Sequence, residues 1–383
     1  MTTPDPAPIR AFLDERHVAV AGRYGDHAAT AIATRPVPES DAEARGEARA
    51  LLGLLAAADW FQPIRTLDWR ACCLAREALA AASPLADAVF ALQALSCVPL
   101  LLADNAALRD RWVPAATTGR AMGAFAMTEL EAGSDVGSIR TSARRDGGDY
   151  VLTGGKTLIS NAGIADFYVV FASTDPRAGS KGLSCFVVPA DTPGLRFVGA
   201  QVLSAPHPLG ELAFDECRVP SDHRVGAEGR GMALGLATLD RLRATVGAAA
   251  CGMAARALAE ALSHARERRQ FGRPLAEFQL VQEKLARMAT DLTAARLLVY
   301  RAAAAADGGA ERVTLEAAMA KAFATEAAQR IVDDAVQVLG GRGVLASHPV
   351  DRLYRAVRAL RIYEGATEIQ HLVIAGQLLR GDA

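Results

Sequence analysis

The chain changes its periodicity twice, and that order limits the fold more than any other feature of its 383 residues. From about Asp41 to Leu108 apolar residues recur every three or four positions, as in EARALLGLLAAADWF and ADAVFALQALSCVPLLLADN, which predicts helices. After Gly119 the texture shifts. AMGAFAMTE, DYVLTGGKTLIS, DFYVVFAST, GLSCFVVPA and GELAFDECRVP are short runs rich in β-branched and aromatic residues, separated by Gly, Asp, Pro and Ser, and they predict a compact β domain between about 120 and 225. The helical period then returns over roughly 230–268, 275–306, 312–340 and 349–380, four long helices that suggest a bundle. This order is not the βαβα alternation of a doubly wound sheet. No G-x-G-x-x-G opens a helix after a strand, and the chain has no P-loop, H-E-x-x-H or nucleophile elbow, so Rossmann-type nicotinamide binding is disfavoured.

The fold class expected is mainly α with a central β domain, divided as 1–118, 119–226 and 227–383. Ser83-Pro84 has the form of a helix start, with serine as cap and proline in the first turn. Pro193-Gly194 fits the central pair of a type II turn, and Asp307-Gly308-Gly309 ends the helix that carries the Ala302–Ala306 run.

Lys and Arg number 42 against 43 Asp and Glu, a net charge of −1, and no block of like charge forms a footprint for nucleic acid or a membrane surface. The first ten residues, MTTPDPAPIR, hold three prolines and no apolar h-region, and no segment offers about 18 uninterrupted apolar residues. A cytoplasmic protein is the expectation. The six cysteines form no C-x-x-C pair and no Cys/His ligand spacing, so they read as reduced thiols with no metal site.

Five stretches carry chemistry. In AMTELEAGSDVGS (Ala126–Ser138), Thr128, Ser134 and Ser138 supply hydroxyls while Gly133 and Gly137 let backbone amides approach a phosphate or the polar edge of a flat heterocycle. GGKTLISNAG (Gly154–Gly163) ends a strand in Ser160-Asn161, where a hydroxyl can meet a ring nitrogen; the two polar clusters could converge on one face of the β domain. RERRQFGRPLAEFQ, from Arg266, sets arginines beside Phe271, a pattern that suits pyrophosphate and equally a solvated basic helix end. QVLGGRGV (Gln337–Val344) is by itself a helix stop. IYEGATEIQ (Ile362–Gln370) sets Glu364 between a tyrosine and a glycine after an apolar approach, an unusual place for a carboxylate. His207, in APHPLGELAF, reads as a surface or turn residue.

Taken together these stretches resemble the acyl-CoA dehydrogenases, whose pattern includes A-M-T-E-x-x-A-G-S-D, K-x-W-I-[TS]-N, R-x-x-F-G-x-x-L-x-x-x-Q, Q-x-x-G-G-x-G and I-Y-E-G-T. The match runs from about residue 70 to 380; the first 70 residues match poorly. The resemblance implies an all-α N-terminal domain, a β-barrel-like middle domain and a C-terminal four-helix bundle, with FAD held between the β domain and the bundles of two subunits in a homotetramer built as a dimer of dimers. It implies flavin contacts from Phe125, Met127, Thr128, Gly133, Ser134, Leu158, Ile159 and Ser160, with Ser160 near N5, and from Gly365 and Thr367. Arg268, Phe271, Gln279, Gln337, Gly340 and Gly341 would reach the adenine dinucleotide part. Asp240, Arg243, Ser134 and Tyr363 would hold the acyl-CoA, and Ala88, Ala91, Leu92 and Leu95 would line its acyl tail, with no charge to receive a second carboxylate.

The reaction implied is α,β-desaturation of an acyl-CoA thioester to the trans-2-enoyl-CoA, with Glu364 as base, FAD N5 as hydride acceptor and electron-transfer flavoprotein as electron acceptor. The family's other base position, immediately before the arginine matched by Arg243, is Leu242 here and holds no carboxylate. Leu158 stands where tryptophan is usual and Ala366 where threonine is usual. An oxidase of the same fold using O2 and a non-catalytic helical paralogue are the alternatives. A nitroalkane oxidase would carry aspartate in place of Glu364.

Overall fold

The computed structural model describes residues 4–381. Six helices precede the sheet: α1 (Glu15–His27), α2 (Asp41–Ala57), α3 (Gln62–Thr66), α4 (Trp69–Ala82), α5 (Pro84–Leu102) and α6 (Ala106–Thr117). Side chains of Asp14, Ser40, Asp68 and Asn105 accept from backbone N–H groups in the first turns of α1, α2, α4 and α6, satisfying donors that a helix start leaves unpaired. Ser83 does the same for α5, its hydroxyl 3.3 Å from the Ala86 N–H, with Pro84 at the first position as the sequence predicts.

Strands β1 (Gly123–Ala126), β2 (Ser142–Asp146), β3 (Asp149–Ser160), β4 (Phe167–Ser173), β5 (Leu183–Pro189), β6 (Leu195–Ala200) and β7 (Leu209–Pro220) form one curled seven-stranded sheet, ordered β1-β4-β2-β3-β7-β6 with β5 also on β4. β1 runs parallel to β4, whereas β3, β6 and β7 pair antiparallel. Every residue of β4 is buried, and Tyr150, Leu152, Val170, Phe186, Phe214 and Val219 belong to the sheet's core. Thr192–Leu195 closes as the predicted type II turn: Gly194 has φ +89° and the Leu195 N–H donates to the Thr192 carbonyl at 3.1 Å.

Beyond the sheet come α7 (Gly231–Glu267), a hairpin of β8 (Arg269–Gln270) and β9 (Arg273–Pro274), then α8 (Gln279–Asp307), α9 (Thr314–Leu339), α10 (Pro349–Leu360) and α11 (Thr367–Arg380). One expectation needs correction. The helix read over 349–380 is two helices, because Glu364 at φ +53° and Gly365 at φ +91° cannot continue a right-handed helix. The apolar period carries across the gap and conceals it.

The chain packs as two compact units, one of Met1–Pro36, Asp68–Asp87 and Asp240–Ala383, the other of Val37–Leu67 and Ala88–Leu239. The first is helical and the second carries the sheet. Both are discontinuous in sequence, and two of the divisions between them fall inside α5 and α7. α5 is long and apolar enough to cross a membrane, but 83% of its apolar window is buried within the protein, as befits a core helix.

Candidate functional site

In the helical unit the break between α10 and α11 is built to hold Glu364. A non-glycine residue in the left-handed region costs about 1–3 kcal/mol and persists only where its surroundings over-determine it. Here they do. The Tyr363 N–H donates to the Ala359 carbonyl at 3.2 Å and the Thr367 N–H to the Arg361 carbonyl at 3.0 Å. Glu326 on α9 accepts from Arg361 Nε at 2.7 Å and from the Thr367 hydroxyl at 2.8 Å. The Gly365 carbonyl accepts from Lys321 Nζ at 2.7 Å and from the Gln370 amide at 3.0 Å.

The carboxylate so placed is unusual in its partners. Among the described residues, Glu364 Oε2 is buried with no hydrogen-bond partner. Burial pushes its pKa above the ordinary glutamate value; Arg76, Lys321 and Arg243 pull the other way without prevailing, and Asp87 adds to the rise. The cations are engaged elsewhere. Arg76 grips Asp87 with two bonds of 2.7 and 2.8 Å and donates to the Thr245 hydroxyl at 3.0 Å. Arg243 is paired with Asp240, whose other oxygen accepts from the Thr314 hydroxyl at 2.8 Å. Lys321 is fully buried, and burial lowers its pKa to about 8 although Glu364 acts to raise it. The result is a desolvated carboxylate in a cationic surround, bonded directly to none of these cations through Oε2. That is the description of a proton acceptor.

Several predicted residues are exposed in this unit. Arg268, Phe271, Gln279, Gln337, Gly340 and Gly341 all lie at the surface, and Phe271 is 94% exposed at the tip of the β8–β9 hairpin. Arg268 and Arg342, beside Gly340–Gly341, both act on His264, whose pKa burial lowers first and these two guanidiniums lower further. Leu242 is buried, so the alternative base position holds an apolar side chain. Tyr363 is half-exposed.

In the sheet unit the two loops converge as the sequence suggests: the Thr157 N–H donates to the Thr128 carbonyl at 3.0 Å. Glu129 anchors the loop from beneath, accepting from the Arg140 and Thr141 N–H groups at 2.7 and 3.0 Å and from buried Lys156 Nζ at 2.7 Å. Between Lys156 and Ile159 the β3–β7 ladder shifts register, a bulge whose extra residue leaves Leu158 at φ +56°. Its N–H goes to Gln201 Oε1 at 2.8 Å and its side chain is turned out, 55% exposed. Ile159 and Met127 are buried; Phe125, Thr128 and Ser160 are partly open; Gly133 and Ser134 are exposed, and a Cβ on Gly133 would meet nothing within 4 Å. A presented apolar side chain beside hydroxyls and an open glycine loop fits one face and the polar edge of a flat heterocycle.

The acyl-tail candidates sit on α5, where Gln93 ties the helix to the sheet by donating to the Ala116 and Ala121 carbonyls at 2.8 and 2.9 Å and accepting from the Gly123 N–H at 2.8 Å. Ala88 is partly exposed, and Ala91, Leu92 and Leu95 keep 6–8% exposure where Phe90, Cys97 and Val98 have none. A helical stripe of slight openness thus runs along the predicted face.

Some contacts and charges of this site were not legible as such in the sequence. His207 lies in the loop between β6 and β7, in keeping with a surface or turn residue, but it is partly buried and its Nε2 stands 2.7 Å from Ser160 Oγ. Arg76, Asp87 and Lys321 carry a local signal that points to burial but not to partners: charges inside CCLAREALAAASPLAD and AAMAKAFATEAA, surrounded by apolar residues, have to be buried and paired.

The chain matches two family models, "Acyl-CoA dehydrogenase, middle domain" over residues 124–217 and "Acyl-CoA dehydrogenase, C-terminal domain" over 229–379. It is 40% identical over 310 residues to a cyclohexane-1-carbonyl-CoA dehydrogenase of Geobacter metallireducens, covering 80% of this chain and 81% of that one. Butyryl-CoA dehydrogenase from Megasphaera elsdenii superposes with a TM-score of 0.89 at 32% identity, covering 96% of this chain and 99% of that one. A solved structure described as electron transferring flavoprotein of Acidaminococcus fermentans gives the same values.

Proposed function

The chain belongs to the acyl-CoA dehydrogenase family, and from that premise we propose that Glu364 is the base that takes the α-proton of an acyl-CoA thioester as the β-hydride leaves. The activity is FAD-dependent acyl-CoA dehydrogenation. The observation that carries the assignment of the base is the buried, unpartnered Oε2 of Glu364, held in a strained turn and raised in pKa by burial.

FAD, when bound, supplies the hydride acceptor. The residues present in each unit, taken by itself, suit parts of it: in the sheet unit exposed Leu158 offers an apolar platform and Thr128 and Ser160 offer hydroxyls, and in the helical unit Arg268 and the glycine turn at 340–341 offer charge and amides of the kind that suit phosphate. Glu364 holds the proton it accepts on a carboxyl that burial already disposes to the neutral form. Its backbone N–H is the proposed donor to the thioester carbonyl as negative charge develops there. Arg243 and Asp240 are the proposed partners of the CoA portion, and the uncharged stripe on α5 suits a hydrocarbon acyl group.

Lys321→Met gives one pH-dependent prediction. A lost cation raises the pKa of Glu364 further, so less of it is ionised at neutral pH and the rising limb of flavin reduction against pH moves upward. Rapid-mixing rates across a pH series check this; an unmoved limb contradicts the role given to Lys321.

Electron-transfer flavoprotein is the proposed electron acceptor, supported by the likeness to the Acidaminococcus structure. A tetramer is part of the same proposal, since Phe271 and Leu280, 94% and 81% exposed, present apolar surface that a second copy would cover. The cytoplasm is the proposed location, in keeping with six free, buried thiols. The experiment for this reading follows substrate-reduced enzyme as it reoxidises. Rapid reoxidation by electron-transfer flavoprotein and slow reoxidation in air is expected; the reverse makes the protein an oxidase.

A further inference from the structure

One partly buried titratable group has no part in the chemistry above. His207 lies between β6 and β7 in the sequence Pro206-His207-Pro208, where a proline on each side restricts the backbone and the residue before a proline is held extended. The adjoining chain is zipped to the end of β3: Ser160 pairs in register with Leu209, and the Asn161 N–H donates to the Pro208 carbonyl at 2.9 Å. Arg45 secures the same corner by donating to the Leu209 and Ala162 carbonyls at 2.8 and 2.6 Å while paired to Asp41. The ring is thus carried to Ser160 by fixed backbone, and its Nε2 stands 2.7 Å from Ser160 Oγ.

Burial, and then the Arg45 charge, lower the His207 pKa to about 4, with Asp41 opposing, so the imidazole is neutral near pH 7. A neutral ring carries one N–H, and a serine has one hydroxyl proton. If Nε2 lacks the proton, the serine hydroxyl must point at the ring and can only accept on its other side. If Nε2 carries it, the serine hydroxyl is free to donate elsewhere. The Nε2–H form is the intrinsically preferred tautomer of a neutral histidine side chain.

We propose that His207 is a positioning residue of the cofactor site: its Nε2–H holds Ser160 Oγ as acceptor and so turns the serine's own hydroxyl proton toward the flavin. The proposal rests on the reading that Ser160 meets FAD. His207 touches neither substrate nor cofactor and acts through Ser160 alone.

Two measurements on the FAD-loaded protein test it. NMR of isotope-labelled histidine should show His207 as the neutral Nε2–H tautomer at pH 7; a neutral Nδ1–H form overturns the proposal whatever the variants do. Flavin midpoint potentials should then show Ser160→Ala and His207→Ala shifting the oxidised-to-reduced ratio at fixed potential by a similar roughly 2- to 10-fold, the worth of one hydrogen bond. The double variant should shift it no further than Ser160→Ala, and His207→Gln, whose amide can donate, should stay near wild type. Additive shifts, or a shift in Ser160→Ala alone, overturn the role of His207. No shift in either variant instead overturns the placement of Ser160 at the flavin, and the inference falls with it.

Discussion

Glu364→Gln is expected to slow flavin reduction by an acyl-CoA by about 10²–10⁴-fold, the usual consequence of removing a general base. Glutamine keeps the shape of the side chain and the backbone N–H of residue 364, so FAD and CoA ligands should still bind. Burial of an unpartnered carboxylate oxygen is unfavourable, so the variant should be no less stable than the wild type, and the loss of rate is then a loss of chemistry. Leu242 is buried and apolar at the family's other base position, so no second carboxylate stands ready there. Stopped-flow bleaching with a bound substrate reads the effect. A near wild-type rate would mean that another group takes the proton.

Arg76→Met should produce the largest loss of stability, about 3–5 kcal/mol, because it leaves Asp87 buried without its bidentate partner. It should also raise the pKa of Glu364, for which Arg76 is the first of the opposing cations. Replacing both partners separates the two effects. Arg76→Met with Asp87→Leu removes the stranded charge and should recover most of the stability, since apolar residues of similar volume often replace a buried pair at little cost. Denaturant titrations of the single and double variants check this; equal destabilisation in both would show that the pair is not the source.

Much of this was legible in the sequence, for identifiable reasons. Ser83-Pro84 and Pro193-Gly194 carry their geometry in the residues themselves, one as a cap and one as a φ > 0 turn, and both stand where predicted. The convergence of the 126–138 loop with the end of β3 followed from strand ends and glycines. The break at 361–366 did not, because the residues that impose it, Lys321, Glu326 and Gln370, act on it from other turns and another helix. The His207 bond to Ser160 was likewise invisible, since it depends on register between β3 and β7 across a bulge. Arg76, Asp87 and Lys321 had a local sign, charge within apolar helix, but what they face is decided by packing.

The central claim is that this chain, with FAD, desaturates acyl-CoA thioesters, and anaerobic titration of the purified protein with a panel of saturated acyl-CoAs tests it most directly. The account predicts a yellow protein whose flavin bleaches with at least one straight-chain, branched or cyclic thioester, forming one enoyl-CoA for each flavin reduced. A protein that takes up no FAD, or a bound flavin that stays oxidised across the whole panel, would contradict it.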